Sequence, residues 1–160
     1  MSLALRAARP EDAALILTLI RELAAFEKLL HEVDASEADL QRDLFGAAPR
    51  VFADIAEWQG EPVGFSLWFY TYSTFQGRHG IWLEDLSVRP EARGRGIGKA
   101  MIEALCQRAV SERLGRVEWW VLDWNTSAIG FYTALGGEMM EDWTKVRLSG
   151  PGLKRLGEGA

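Results

Sequence analysis

The stretch Arg93-Gly94-Arg95-Gly96-Ile97-Gly98-Lys99 decides how this chain is read. It follows an apolar run, Ile81 to Val88, that has the pattern of a strand. It opens a run from Ile97 to Leu114 with helical spacing. Three glycines on alternate residues strip side chains from a strand-to-helix turn, so backbone N–H groups can approach a ligand closely. A helix start adds unpaired N–H donors and a partial positive charge, which attract phosphate. Arg93, Arg95 and Lys99 place full charges beside those donors. The residues therefore read as a pyrophosphate cradle, with a flexible Gly/Arg surface turn as the plainer alternative.

Spacing narrows the kind of cradle. A dinucleotide fingerprint needs a third glycine at position 99, which is Lys99. A P-loop needs glycine at position 93 and Ser or Thr at position 100, which are Arg93 and Ala100. Both common phosphate motifs fail, and R-x-x-G-x-G from Arg93 to Gly98 remains.

Composition bounds the rest. The chain has 160 residues, enough for one domain with a substantial core. Hydrophobic residues make up 48% and charged residues 26%, the proportions of an ordinary globular protein. A net charge of −5 argues against broad nucleic-acid binding, and the basic 89–99 segment suits a small polyanion better than a duplex. One cysteine, Cys106, excludes an internal disulfide and reads as a small core residue of a helix. The lack of a signal-like start or a long apolar run points to the cytoplasm, with no membrane partner. His31 and His79 lie far apart without cysteine partners, so no metal site is expected.

Along the chain, Leu3 to Arg6 reads as a first strand. Pro10-Glu11-Asp12 starts a helix whose Leu15, Ile16, Leu19, Ile20, Leu23 and Phe26 recur on one face. Ser36 and Asp39 form a capping-box pattern before a short helix with Leu40 and Leu44. Val51–Trp58 and Val63–Tyr72 flank Gln59-Gly60-Glu61-Pro62 as a hairpin. After the Ile97–Leu114 helix, closed by Gly115, come a strand from Val117 to Leu122, a helix from Ser127 to Leu135 capped by Asn125, and a last strand from Met139 to Leu148. The Gly-rich tail from Ser149 reads as frayed. The helix joining the Ile81 and Val117 strands makes them parallel neighbours in a mixed sheet with helices on both faces.

With these elements in place, the chain resembles the GCN5-related N-acetyltransferases (GNAT), and among them the spermidine/spermine (diamine) acetyltransferase branch. Arg93 to Gly98 is similar to the family's acetyl-coenzyme A loop. Leu83-Glu84-Asp85-Leu86 is similar to the branch's L-E-D segment, and Asp123-Trp124-Asn125 with Phe131-Tyr132 to its W-N and F-Y elements. Glu22-Leu23-Ala24, Phe26-Glu27 and Phe69-Tyr70-Thr71-Tyr72 complete an ordered set across residues 3 to 148.

The resemblance implies an α/β (α+β) fold: a mixed, centrally splayed sheet of six to seven strands flanked by helices, in one N-acetyltransferase domain over 1–148, followed by a partly disordered tail over 149–160. It implies acetyl-coenzyme A as co-substrate, entering the splay. Leu86, Ser87 and Val88 would pair with its pantetheine arm, Gly94 to Lys99 would hold the pyrophosphate, and Asn125 would contact it where the second strand ends. The acceptor would be the primary amine of a small cation: a diamine, a polyamine or a lysine-like amino acid. A homodimer is implied as well.

Chemistry assigns roles within that frame. An alkylamine has a pKa of about 10 and arrives charged, so a carboxylate must take its proton. By resemblance that carboxylate is Glu84. Adjacent strand residues point to opposite faces, so only one of Glu84 and Asp85 is expected to face the cleft. Tyr132, by resemblance, protonates the departing thiolate. The Leu86 N–H is the candidate oxyanion donor, by placement alone. Phe26 and Glu27 match a substrate-contacting pair, and Glu118, Trp119 and Trp120 are candidates for lining the same cleft, with core packing as the alternative for the last three. Where polyamine enzymes of the branch carry D-P-W, this chain reads Ser73-Thr74-Phe75, which removes an anionic contact for a long polyamine. Acetylation of a protein amine and non-catalytic binding of acetyl-coenzyme A are the competing functions.

Overall fold

A computed structural model describes residues 2–159 of the chain. They fall into two compact units, divided between Trp120 and Val121, and each is described by itself.

In the first unit a five-stranded sheet runs in the order β1 (Leu3–Ala7), β2 (Phe52–Trp58), β3 (Glu61–Ser73), β4 (Arg78–Val88), β5 (Val117–Glu118). The first four strands pair antiparallel; β4 and β5 are parallel. The β2–β3 hairpin closes through Gln59 and Gly60, both at positive φ (55° and 85°), the geometry that a two-residue hairpin loop requires.

The helices cover both faces, as the sequence pattern predicts. A 3₁₀ turn over Pro10–Asp12 leads into α1 (Ala13–Phe26). Arg6 clamps that entry, donating to Asp12 at 2.7 Å and to Glu57 at 2.7 Å. Helix α2 (Glu37–Phe45) begins with the expected capping box: Ser36 Oγ accepts from Asp39 N, and the Asp39 carboxylate accepts from Ser36 N. Ile16, Leu19, Leu40 and Leu44 of these helices pack on Ala53, Ile55, Phe65 and Leu67 of the sheet. On the opposite face, α3 (Ile97–Ser111) sets Ile97 and Met101 against Ala56 and Val63.

The second unit contains α4 (Thr126–Ala134) and α5 (Gly150–Gly157). Neither has a buried residue.

Six expectations need correction. The sheet has five strands among the described residues, not six to seven. Residues 139–148 form no strand, because alternating hydropathy gives a face but not the neighbouring backbone that a strand must hydrogen-bond. The Val117–Leu122 strand pairs only over Val117 and Glu118. The tail expected to fray carries α5, started by Pro151 in its first turn and carrying a Lys154–Glu158 pair at 4.0 Å. At the end of α3 the left-handed residue is Arg113 (φ 58°), not Gly115, whose N–H instead donates to the His79 carbonyl at 2.8 Å. Cys106 is exposed, one step round the helix from buried Leu105, and so is not a core residue.

Phe65 is fully buried where β3 meets α1 and α2. Phe65→Ala is expected to lower the unfolding free energy by about 3–5 kcal/mol, measured by urea denaturation.

Candidate active site

Strand β4 carries the site. Its pairing with β3 continues to Val88, opposite Gly64, but its pairing with β5 is confined to Ile81–Val117 and Trp82–Glu118. From Leu83 to Val88 the β5-side edge has no β5 partner. That stretch includes Leu86, Ser87 and Val88, the residues expected to meet the pantetheine arm. Leu86 and Val88 are partly buried against the Ala56, Ile97 and Met101 cluster, which fixes the strand while its edge stays open.

The turn that follows has the geometry of an anion cradle. Pro90–Ala92 forms a 3₁₀ turn, and Gly94 and Gly96 both adopt positive φ (77° and 75°), with Gly96 capping α3. A Cβ added at either glycine would meet nothing within 4 Å apart from its chain neighbours, so no residue from elsewhere in the chain crowds the two positions. Gly96 O accepts from Ala100 N, the first bond of α3, which leaves the N–H groups of Ile97, Gly98 and Lys99 in the first turn without intrahelical acceptors. Unpaired amides at a helix start favour negative charge.

The basic side chains are held to different degrees. Arg93 donates from Nε to Val88 O at 2.9 Å, tying the loop to the strand, and its guanidinium lies 5.2 Å from the Phe26 ring centre. Arg95 stacks over Trp58 at 5.3 Å. Lys99 lies 3.6 Å from Glu103 on the helix surface, a contact of little energetic weight.

The acidic residues gather at the end of α1. Arg89 joins Glu22 through Nε and Oε2 at 3.1 Å, docking the helix onto the end of β4. Glu27 caps α1, and burial pushes its carboxyl up. In β4 the register slips: Trp68 pairs with Leu83, and Leu67 pairs with Asp85, leaving Glu84 as the extra residue of a β-bulge. The slip overturns the simple alternation expected of Glu84 and Asp85. Cross-strand partners share a face, so Asp85 joins Leu67 on the side of α1 and α2, opposite Leu83. Asp85 is partly buried, and burial together with the charges of Glu84 and Glu27 pushes its carboxyl up to about 7. Glu84 is exposed and accepts from Trp82 Nε1 at 2.9 Å.

The first unit thus brings together Phe26, Glu27, Glu84, Asp85, Leu86, Ser87, Val88 and the 93–99 loop. Glu118 lies opposite Trp82, where it accepts from Arg116 Nε at 2.8 Å. Trp119 is partly buried, and the exposed Trp120 ring stands edge-on to Trp82 at 5.0 Å. Asn125 and Tyr132 belong to the second unit. Asn125 caps α4, its Oδ1 accepting from Ala128 N at 3.2 Å. Tyr132 is partly buried on α4, its ring 5.4 Å from that of Phe131. Among the described residues, no helix is long and apolar enough to cross a membrane, and no group of three or more His, Cys, Asp or Glu could hold a metal ion.

Comparison with known proteins agrees with this geometry. A model of the Acetyltransferase (GNAT) family matches residues 17–136. A thialysine N-epsilon-acetyltransferase of Bos taurus is 39% identical over 95% of this chain and 95% of its own length. An L-ornithine N5-acetyltransferase of Arabidopsis thaliana is 29% identical over 95% of this chain and 86% of its own. An integron cassette protein from the mobile metagenome of V. cholerae shares the fold, with a TM-score of 0.82 and 23% identity over 99% of each chain. An open cradle at the start of α3, an unzipped β4 edge and near-complete alignment together make this chain a member of the acetyltransferase (GNAT) family, of the kind that resembles spermidine/spermine acetyltransferases. It is an N-acetyltransferase.

The raised Asp85 carboxyl has a consequence for stability. Its folded value is about 7 against an ordinary 3.8, so between those values the folded chain holds a proton that the unfolded chain has lost. The group's contribution falls as pH rises through that window, by about 4 kcal/mol in all. Asp85→Asn removes the charge. Urea denaturation should find the variant's stability relative to wild type about 2–3 kcal/mol more favourable at pH 8 than at pH 5.

Proposed function

We propose that the enzyme transfers an acetyl group from acetyl-coenzyme A to the primary side-chain amine of a small cationic acceptor, a diamine or an amino acid of the lysine or ornithine type. The observation that carries this reading is the cradle at Gly94 and Gly96, standing at the end of a strand whose neighbouring edge is open. A diphosphate fits the bare amides and basic side chains of Arg93 to Lys99. An arm that leaves the cradle along β4 runs beside Leu86, Ser87 and Val88, on the edge that has no β5 ladder. The Leu86 N–H is our candidate for the oxyanion, since a preorganised amide stabilises charge that develops during reaction. Asn125 is assigned to the cofactor by the W-N resemblance.

The acceptor class follows from charge. Glu27, Glu84 and Asp85 form an acidic end to the site, beside Phe26, and both an aromatic face and carboxylates favour an ammonium. Glu118, Trp119 and Trp120 are assigned to the same acceptor side. The relatives named for thialysine and ornithine support an amino acid over a polyamine, as does the missing D-P-W acid at Ser73-Thr74-Phe75. A carboxylate of the Glu84–Asp85 pair takes the ammonium's proton, and Tyr132 returns one to the departing thiolate. The reaction suits a cytoplasmic enzyme.

A panel of diamines, basic amino acids and peptides, read by thiol release from acetyl-coenzyme A, tests the reading. Fast release with small amines and none with peptides is expected; release with peptides alone would replace it with a protein acetyltransferase, and cofactor binding without release with a binding module. Tyr132→Phe should lower kcat about 100-fold or more while leaving the Kd for acetyl-coenzyme A within about threefold.

A homodimer completes the proposal. Trp143, Val146, Leu148, Leu153 and Leu156 are all more than half exposed, a run of apolar surface that a second copy would cover. Light scattering on the eluted protein should give twice the 17.9 kDa chain mass.

A further inference from the structure

We infer that Asp85, rather than Glu84, takes the proton from the incoming ammonium, a refinement that rests on the amine-acetylation reading above. The bulge carries the argument. Without it, Glu84 and Asp85 would alternate across the sheet. With Glu84 as the extra residue, Asp85 pairs with Leu67 and faces α1, where Phe26 and Glu27 end the helix. Glu84 is exposed and already engaged by the Trp82 indole N–H at 2.9 Å, so it offers the ammonium a charge to rest against.

The surroundings of Asp85 favour a base over a permanent ion-pair partner. On its own strand the neighbouring charge is Glu84; from α1 it is Glu27. Glu22 of α1 is taken up by Arg89 at 3.1 Å, and Glu118 of β5 by Arg116 at 2.8 Å. From β3 the partner is apolar Leu67, and α3 lies on the other face. Beyond Arg89, the next loop cation in sequence is Arg93, which is tied to Val88 O and stacked on Phe26. Burial and the two carboxylates Glu84 and Glu27 act on Asp85, and its carboxyl rises to about 7, near working pH, where a general base is most effective.

The step balances within the chain's own groups. An ammonium N–H bond breaks, its electron pair stays on nitrogen, and an O–H bond forms on Asp85. The free amine attacks the thioester carbonyl and the C–S bond breaks. The thiolate takes one proton, from Tyr132 in the functional reading above, and the second proton of the nitrogen makes up that loss. Asp85 later gives its proton to water. The products are the amide, the free thiol and one proton.

The test is the pH profile of kcat/KM for the preferred amine. Wild type should show a rising limb centred near pH 7. Asp85→Asn should lose that limb and fall about 100-fold or more at pH 8, with the Kd for acetyl-coenzyme A within about threefold. Asp85→Glu, which keeps a carboxylate, should recover part of the rate. Glu84→Gln and Glu27→Gln should keep the limb but move it to lower pH, because each removes a like charge that holds the Asp85 proton. An active wild type whose limb survives in Asp85→Asn and vanishes in Glu84→Gln overturns the inference alone. A wild type that acetylates no amine overturns the functional reading and the inference with it. Should Asp85→Asn fail to fold, carbon NMR of the Asp85 carboxyl in the wild-type protein decides. A midpoint near 7 supports the assignment, and one near the ordinary aspartate value overturns it.

Discussion

Hydrogen bonding between β4 and β5 stops after Trp82 and Glu118, and the rest of the site depends on that stop. In a sheet interior every N–H and C=O normally finds a partner, because an unpaired one loses water without replacement. From Leu83 to Val88, β4 is secured on its β3 side as far as Gly64 and carries no β5 ladder on the other. A strand held so firmly on one edge and so bare on the next is a template for an extended, hydrogen-bonding ligand. The cradle at Gly94 and Gly96 begins where that template ends, so one ligand with a polar arm and a diphosphate can use both.

The supports of this edge are ordinary packing. Leu86 and Val88 sit on the α3 face against Ala56, Ile97 and Met101. Gly64 lies where β3 passes β4 so closely that a Cβ would stand 2.5 Å from the Ser87 carbonyl oxygen. Arg89 clamps the strand's end to α1 through Glu22, and Arg93 folds the loop back onto Val88. These contacts fix the site's backbone in place, which suits catalysis by preorganised groups. The same Arg93 is therefore less available to a phosphate than its position in the motif promises, whereas the amides beside it carry no such prior commitment.

Sequence made local features legible and missed those set by partners. The strand-to-helix cradle, the capping box at Ser36 and Asp39, the hairpin at Gln59-Gly60 and the Asn125 cap all depend on residues within a few positions of one another, and all are found. The strand expected over Met139 to Leu148 depends on a neighbouring backbone that hydropathy does not encode, and it is absent. Cys106 lies outside the core because helical spacing gives a buried stripe but not its angle, and the stripe runs through Met101, Ile102, Leu105 and Ala109. The bulge at Glu84 was invisible for the same reason as the missing strand: it is a mismatch between two strands, and either sequence alone looks regular. No glycine marks it. The only signal nearby is the adjacency of two acids in an otherwise apolar run, which regular alternation would have split between faces.

That adjacency decides the energetics of the proton. Moving a proton from an alkylammonium with a pKa of about 10 to a carboxylate near 4 is uphill by about six units, or ~8 kcal/mol. With the acceptor at about 7 the gap halves to about three units, or ~4 kcal/mol. The neighbouring carboxylates that raise Asp85 also attract the ammonium, so the charges that bring the substrate in are the ones that make its proton easier to take. A lone, well-solvated aspartate would do the first task poorly and the second hardly at all. A bulge that sets Asp85 and Glu84 beside Glu27, with the nearby arginines committed elsewhere, lets one small acidic cluster do both.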